Sequence, residues 1–144
     1  MSFTLPPVVM LAERLLVNVE QAVRRFARFH KYTFGTDLRK SAMEVATLAH
    51  RAWREPARRR KWLDRLVHAV DDLKLRLQLG SRIHAFASFR QFEQFARLAS
   101  DLGRQVGGWY REQKHPKVQN DQHRIAGQRD QILSSQATSA EVKP

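Results

Sequence analysis

Hydrophobic residues recur at every third or fourth position through most of the first 113 residues, which is the spacing of amphipathic helices. Sustained alternation of Val, Ile and Thr with polar residues, which would indicate strands, is missing from the sequence. The pattern therefore predicts four helices with short connections. They cover residues 8–29, residues 36–54, a segment from Pro56 or Ala57 to Gly80 or onward through Ile83, and a segment from near Ser88 through Trp109.

Each predicted helix has one apolar stripe that we expect to face a common core. The four stripes, in chain order, are Leu11, Leu15, Val19, Ala22, Phe26 and Phe29; Leu38, Ala42, Val45, Leu48, Ala49 and Ala52; Trp62, Leu63, Leu66, Val70, Leu73 and Leu77; and Phe92, Phe95, Leu98, Leu102, Val106 and Trp109. Four such helices with short connections favour an all-α fold, arranged as an antiparallel up-down four-helix bundle.

The sequence changes character after the predicted bundle of residues 1–113. Residues 114–144 are polar, rich in Gln and Ser and poor in aromatic residues, so we expect a disordered C-terminal tail. The N-terminal residues show no signal-peptide pattern and no uninterrupted apolar span, which predicts a cytoplasmic protein with no membrane segment. The sequence contains no cysteine, which excludes disulfides and fits a reducing compartment.

The charge of the chain is strongly unbalanced, with 26 Lys and Arg residues against 14 Asp and Glu residues and a formal net charge of +12. Such an excess predicts an anionic partner, which could be nucleic acid, a membrane surface or an acidic protein. Residues 114–144 contain only five basic and three acidic residues, so most of the positive charge belongs to the helices.

The densest basic run lies between the second and third predicted helices, in the sequence RAWREPARRRKWLDR. Arginine side chains bind phosphate oxygens in pairs, and tryptophan rings can stack on bases or beneath guanidinium groups. The alternative is a solvated turn in which Trp53 and Trp62 close one end of the bundle. The candidate nucleic-acid-binding residues of this run are Arg58, Arg59, Arg60, Lys61 and Arg65.

A second basic group lies near the end of the first predicted helix. In a continuous helix Arg24, Arg28 and Lys31 share one face, and Glu20 is placed to pair with Arg24. Joined with the first group on one surface, or around a ring of subunits, these residues would follow a phosphate backbone with a strong salt dependence. The alternative is an ordinary solvated face. The candidate nucleic-acid-binding residues are Arg24, Arg25, Arg28 and Lys31.

Enzyme and metal-site patterns are missing from the sequence. It contains no P-loop, no GxSxG and no HExxH motif. Of the six histidines only His68, followed by Asp71 and Asp72, suggests a partial metal site, and this spacing is more often a surface interaction. We therefore expect no catalytic residue, no metal and no cofactor.

The segment RFHKYTFGTDLRKSA joins the first two predicted helices. Gly35 or Thr36 is expected to cap the second helix, with Thr33 as the alternative, and Asp37 then lies in the first turn near the positive end of the helix dipole. This composition predicts a helix junction, not an active site or a phosphate-binding loop.

Glycines interrupt the fourth predicted helix at Gly103, Gly107 and Gly108. Glycine inside a helix costs roughly 0.5–1 kcal/mol relative to alanine, so a compensating contact is expected. Gly103 and Gly107 share a face, which predicts close approach of a neighbouring helix. The alternative is that Gly107 and Gly108 end the helix.

Three segments together resemble the accessory variability determinant family of diversity-generating retroelements. They are HKYTFGTDLRKSAMEV, LDRLVHAVDDLKLRLQLG and GRQVGGWYRE, and the resemblance covers roughly residues 11–113. The related ribosomal intervening-sequence proteins carry an Asn-Ile-Ala-Glu-Gly-like segment where this chain reads MEVATLAHRAW. The chain departs from the family in having no proline near RFHK, and the resemblance does not extend to residues 114–144.

The resemblance implies a small, basic four-helix-bundle protein that is not an enzyme and that assembles as a homopentamer. It also implies that the protein binds the retroelement's reverse transcriptase together with RNA, and possibly DNA, during mutagenic reverse transcription. Two other functions stay open. One is a protein-interaction adaptor for an acidic partner, and the other is a protein of the ribosomal intervening-sequence type.

Overall fold

The computed structural model describes residues 5–114, and every regular element within them is helical. The all-α prediction is therefore confirmed for this part of the chain. A 3₁₀ turn at Pro56–Arg58 leads directly into the fourth α-helix. The α-helices are α1 Pro7–Arg24, α2 Arg28–Lys31, α3 Phe34–Arg54, α4 Arg59–Arg82 and α5 Phe89–Lys114.

The first predicted helix is in fact two helices. It ends at Arg24, where the backbone N–H groups of Arg25 and Phe26 bond to the carbonyls of Ala22 and Val23 and close the last turn of α1. The chain then bends and inserts the Phe26 ring into the core. The short helix α2 follows, so the prediction of one continuous helix to residue 29 is wrong.

The core is built from α1, α3, α4 and α5. Every predicted core residue of α3 and α4 is buried, which confirms those two stripes. In α5, Phe95, Leu102 and Val106 are buried, while the other predicted residues pack partly buried against the core. Phe29 is the exception, because its ring is 81% exposed.

Ion pairs between α1 and α3 show that these two long helices run in opposite directions. α3 packs against both α1 and α4. Glu13 of α1 pairs with His50 of α3, and Glu20 pairs with Arg39. Because residues later in α1 meet residues earlier in α3, the two helices are antiparallel. The turn between α3 and α4 is closed by Arg59, whose Nε donates to the carbonyl of Ala52 over 2.6 Å.

The junction before α3 differs in detail from the expected cap. Thr33 occupies the N-cap position, so the preferred caps Gly35 and Thr36 are wrong, and Thr33 makes no side-chain capping bond. Its hydroxyl donates instead to the carbonyl of Phe29 over 3.0 Å. Asp37 does lie in the first turn, as predicted. Gly35 lies inside α3, where a Cβ would stand 2.8 Å from Val23 Cγ1, so it is there for close packing.

The glycines of α4 and α5 lie within helices. α4 continues past Gly80 to Arg82 and Ile83 is its C-cap residue, so of the two predicted ends the later one is confirmed. α5 continues through Gly107 and Gly108 to Lys114, which excludes an end at these glycines. At Gly103 a Cβ would lie 2.7 Å from Lys74 Nζ, the end of a flexible side chain on α4, so the short contact there is with a side chain and not with the helix backbone.

The chain divides into two units, Met1–Tyr110 and Arg111–Pro144. The predicted disordered tail falls almost entirely outside the described residues. Among the described helices, none is long and apolar enough to cross a membrane.

Candidate nucleic-acid interface

The candidate basic residues lie at opposite ends of the helices and form two separate groups. We call Arg24, Arg25, Arg28 and Lys31 the junction cluster, and Arg58, Arg59, Arg60, Lys61 and Arg65 the turn cluster. Arg24 and Arg25 line a cleft of about 720 Å³ with Gln94 near the start of α5. Arg59, in contrast, lies 5.5 Å from the ring of Trp109 near the other end of α5. About 22 Å of helix separates Gln94 from Trp109, so one copy of the chain does not join the two clusters into one surface.

Arg59 holds the turn together instead of facing solvent. Its Nε donates to the carbonyl of Ala52, and its Nη2 donates to the carbonyl of Trp53 over 3.0 Å. These are carbonyls at the C-terminal end of α3, where the helix leaves acceptors without partners. The guanidinium group also lies over the Trp109 ring, so Arg59 contributes to structure more than to phosphate binding.

Trp62 is buried beneath the basic residues of the turn. It is 6% exposed, and its Nε1 donates to Glu55 Oε1 over 3.0 Å. Three cations lie 5.0–5.4 Å from the ring centroid, and they are Arg51, Lys61 and Arg65. A ring in this position cannot stack on a base. The alternative interpretation, in which the tryptophans close the end of the bundle, therefore applies to Trp62.

The remaining arginines of the turn cluster are available for a ligand. Arg58 and Arg60 are exposed, and within residues 5–113 neither forms an ion pair or a hydrogen bond through its side chain. Lys61 and Arg65 are also exposed, although each lies against the Trp62 ring. Arg58 and Arg60 are therefore the arginines of the turn cluster whose guanidinium groups make no hydrogen bond, ion pair or ring contact within residues 5–113.

The junction cluster does not lie on one helical face. Arg24 ends α1 and Arg28 begins α2, so the bend between them breaks the predicted face. The predicted pairing of Glu20 with Arg24 is wrong, because Glu20 pairs with Arg39 of α3 at 2.7 Å. Arg24 and Arg28 are exposed and have no carboxylate partner within the described part of the chain.

Two aromatic rings beside the junction cluster were not predicted as surface residues. Phe29 is 81% exposed and Tyr32 is 68% exposed. They line an open cleft with Ile83, which follows the last residue of α4. Helical spacing assigned Phe29 to the core because it extended the stripe of α1. The signal that pointed outward was the alternation of aromatic and basic residues in RFHKY.

The possible metal site shows no ligand cluster. His68, Asp71 and Asp72 are all exposed on α4. Among residues 5–114, no group of three or more His, Asp and Glu side chains is placed to hold a metal ion.

No family model, curated protein or solved structure matches the chain. The geometry of the two clusters and the resemblance of the three sequence segments are therefore the grounds on which a function is proposed.

Proposed function

We propose that this protein is a non-enzymatic accessory protein of a diversity-generating retroelement. It acts in the cytoplasm, where it binds the element's reverse transcriptase and the template RNA or its cDNA product. Its long helices form an antiparallel up-down four-helix bundle, and several copies assemble into a ring, a pentamer by the sequence resemblance. The bundle presents positive charge to the phosphate backbone and performs no chemistry itself.

One observation carries the nucleic-acid part of the proposal. Arginines at both ends of the helices, Arg24 and Arg28 at one and Arg58 and Arg60 at the other, are exposed and lack carboxylate partners within the described residues. Like charges held close together repel one another, and a polyanion removes that cost. Repetition of both ends around a ring would extend each cluster into a continuous basic rim.

Salt dependence of RNA binding tests the turn cluster. The double variant Arg58→Ala/Arg60→Ala leaves Arg59 in place to hold the turn. Each phosphate contact that is lost should reduce the slope of log affinity against log salt by about 0.7 for a single strand. The measurement is fluorescence anisotropy with labelled RNA across a salt series.

A charge-matched control separates local contacts from net charge. The variant Arg39→Ala/Arg104→Ala removes the same number of positive charges, but each of these arginines pairs with a carboxylate. It should keep a slope close to that of the wild type. Equal slopes in the wild type and in Arg58→Ala/Arg60→Ala would rule out phosphate binding by this end.

Co-purification tests the partner. The proposal requires a reverse transcriptase gene near this one, and its product should be retained by the tagged full chain both before and after nuclease treatment. Retention that nuclease abolishes would show that RNA alone links the two proteins. An adaptor for an acidic protein predicts no RNA binding, and a gene inserted within ribosomal RNA would indicate the intervening-sequence type.

A further inference from the structure

The cleft beside the short helix α2 is lined by two exposed aromatic rings. Phe29 and Tyr32 are three residues apart, which places them as neighbours on one side of a helical turn. Both rings line the cleft, together with Thr33, Thr36 and Ile83 among others. Its volume is about 870 Å³, which lies within the roughly 300–1,000 Å³ typical of small-molecule sites.

The base of the cleft is held firmly in place. Phe34 lines the cleft and stacks on Phe26 at a centroid distance of 6.2 Å. Phe26 in turn meets Phe86 edge to face at 5.7 Å. Gly80 lies under the same rings, and a Cβ there would stand 2.7 Å from both Phe34 and Phe86. The part of the cleft formed by Phe34 is therefore a close-packed aromatic layer.

Two basic residues lie beside the exposed rings, although neither is among the residues that line the cleft. Lys31 Nζ lies 5.7 Å from the Tyr32 ring centroid, and Arg28 is exposed next to Phe29 in sequence. Asp37 is the acidic residue that lines the cleft. Phe, Tyr and Arg are also enriched in protein–protein interfaces, but Lys is depleted there, whereas single-stranded nucleic acid binds where aromatic rings are combined with cations.

We infer that this cleft binds an unpaired stretch of RNA, with bases stacked on Phe29 and Tyr32 and phosphates held by Arg28 and Lys31. The inference rests on the proposed RNA binding and adds that this end of the protein selects unpaired strands. Bases within a duplex are already stacked on one another, so an A-form helix offers these rings no free face. The turn cluster, whose Trp62 ring is buried, makes no such distinction.

Two ring-removing variants test the stacking. The ligands are a labelled single-stranded 12-mer of oligouridylate and a 12-base-pair RNA duplex, both bound to the full chain. Phe29→Ala/Tyr32→Ala should weaken binding of the single strand by about thirtyfold or more and leave binding of the duplex within twofold, because each of the two stacked bases contributes roughly fivefold or more. Phe29→Leu/Tyr32→Leu keeps an apolar surface without ring faces and should lose as much.

A matched control removes other exposed apolar side chains. Met10 and Val17 of α1 are 50% and 52% exposed and do not line the cleft. Met10→Ala/Val17→Ala should leave binding of both ligands unchanged. In the wild type, a strand that carries 5-iodouridine should become crosslinked, on irradiation, to the peptide that contains residues 29–32.

The possible failures are distinguishable. A wild-type chain that binds neither ligand overturns the proposed RNA binding and this inference together. Wild-type binding that the alanine variant keeps, or that the leucine variant retains in full, overturns the stacking alone. Equal weakening of single strand and duplex also overturns it, because that result would indicate lost backbone contacts or lost folding.

Discussion

Trp62 at the α3–α4 turn is 6% exposed, whereas Tyr32 beside α2 is 68% exposed, although each lies among basic residues. At the turn the ring points inward and three cations cover it. At the junction the rings point outward, and Lys31 lies against one of them. The same pairing of aromatic and basic residues thus closes the core at one end and leaves the rings exposed at the other.

Burial of the ring is what separates these two uses. A buried aromatic ring contributes its apolar area to folding, and cations packed over its faces shield them from water. An exposed ring contributes little to folding, so its stacking energy is available to a ligand. Removal of the buried ring should therefore lower the stability of the fold, whereas removal of an exposed ring should leave stability nearly unchanged and weaken ligand binding.

The largest expected effect comes from removing the buried ring. Trp62→Ala deletes a core side chain and the hydrogen bond to Glu55, and it should lower the free energy of unfolding by about 3–5 kcal/mol. Tyr32→Ala at the exposed junction should change it by less than about 0.5 kcal/mol. Urea denaturation followed by circular dichroism measures both values. Similar losses in the two variants would break the comparison.

Arg59 and Arg60 sharpen the comparison within the turn itself. Arg59→Ala removes two charged hydrogen bonds to the end of α3 and should lower the free energy of unfolding by roughly 1.5–3 kcal/mol. The exposed neighbour Arg60→Ala should change it by less than about 0.5 kcal/mol. The same denaturation measurement tests the pair. If Arg59→Ala is as stable as Arg60→Ala, the assignment of Arg59 to structure is wrong.

Alanine substitutions at Gly80 and Gly103 compare the packing beneath the cleft with the packing between α4 and α5. Gly80→Ala would bring a Cβ within 2.7 Å of two aromatic rings, and it should destabilise the protein by about 1–3 kcal/mol. Gly103→Ala meets the movable end of Lys74, so the better helix propensity of alanine should prevail and stabilise by up to about 1 kcal/mol. Melting temperatures measured side by side distinguish the signs. A stabilising Gly80→Ala would mean that the rings beneath the cleft are loosely packed.

Helical spacing predicted most of the fold because α3 and α4 are long and strongly periodic. Their stripes, from Leu38 to Ala52 and from Trp62 to Leu77, are buried as expected. The same periodicity failed at α2, since a stripe that continues through Phe26 and Phe29 does not reveal a bend between them. At the bend the Phe26 ring enters the core beside Phe34 and Phe86, and Phe86 is distant in sequence.

The sequence predicted which basic residues belong to the candidate site, but it did not predict how they are arranged. Charge counting identified the basic residues, and it treated Arg58, Arg59 and Arg60 alike. It could not assign Arg59 to the carbonyls of α3, because that role depends on how the turn folds back. Helical spacing, in turn, placed the exposed ring of Phe29 in the core.

The sequence alone determined that the chain forms amphipathic helices with a large excess of positive charge, because periodicity and charge are properties of the residues themselves. The tertiary structure decided that the two basic clusters lie at opposite ends, since helix direction separates residues that look similar along the chain. It also decided which rings face water. Whether an aromatic side chain stabilises the fold or is free to meet a ligand depends on neighbours that only folding brings together.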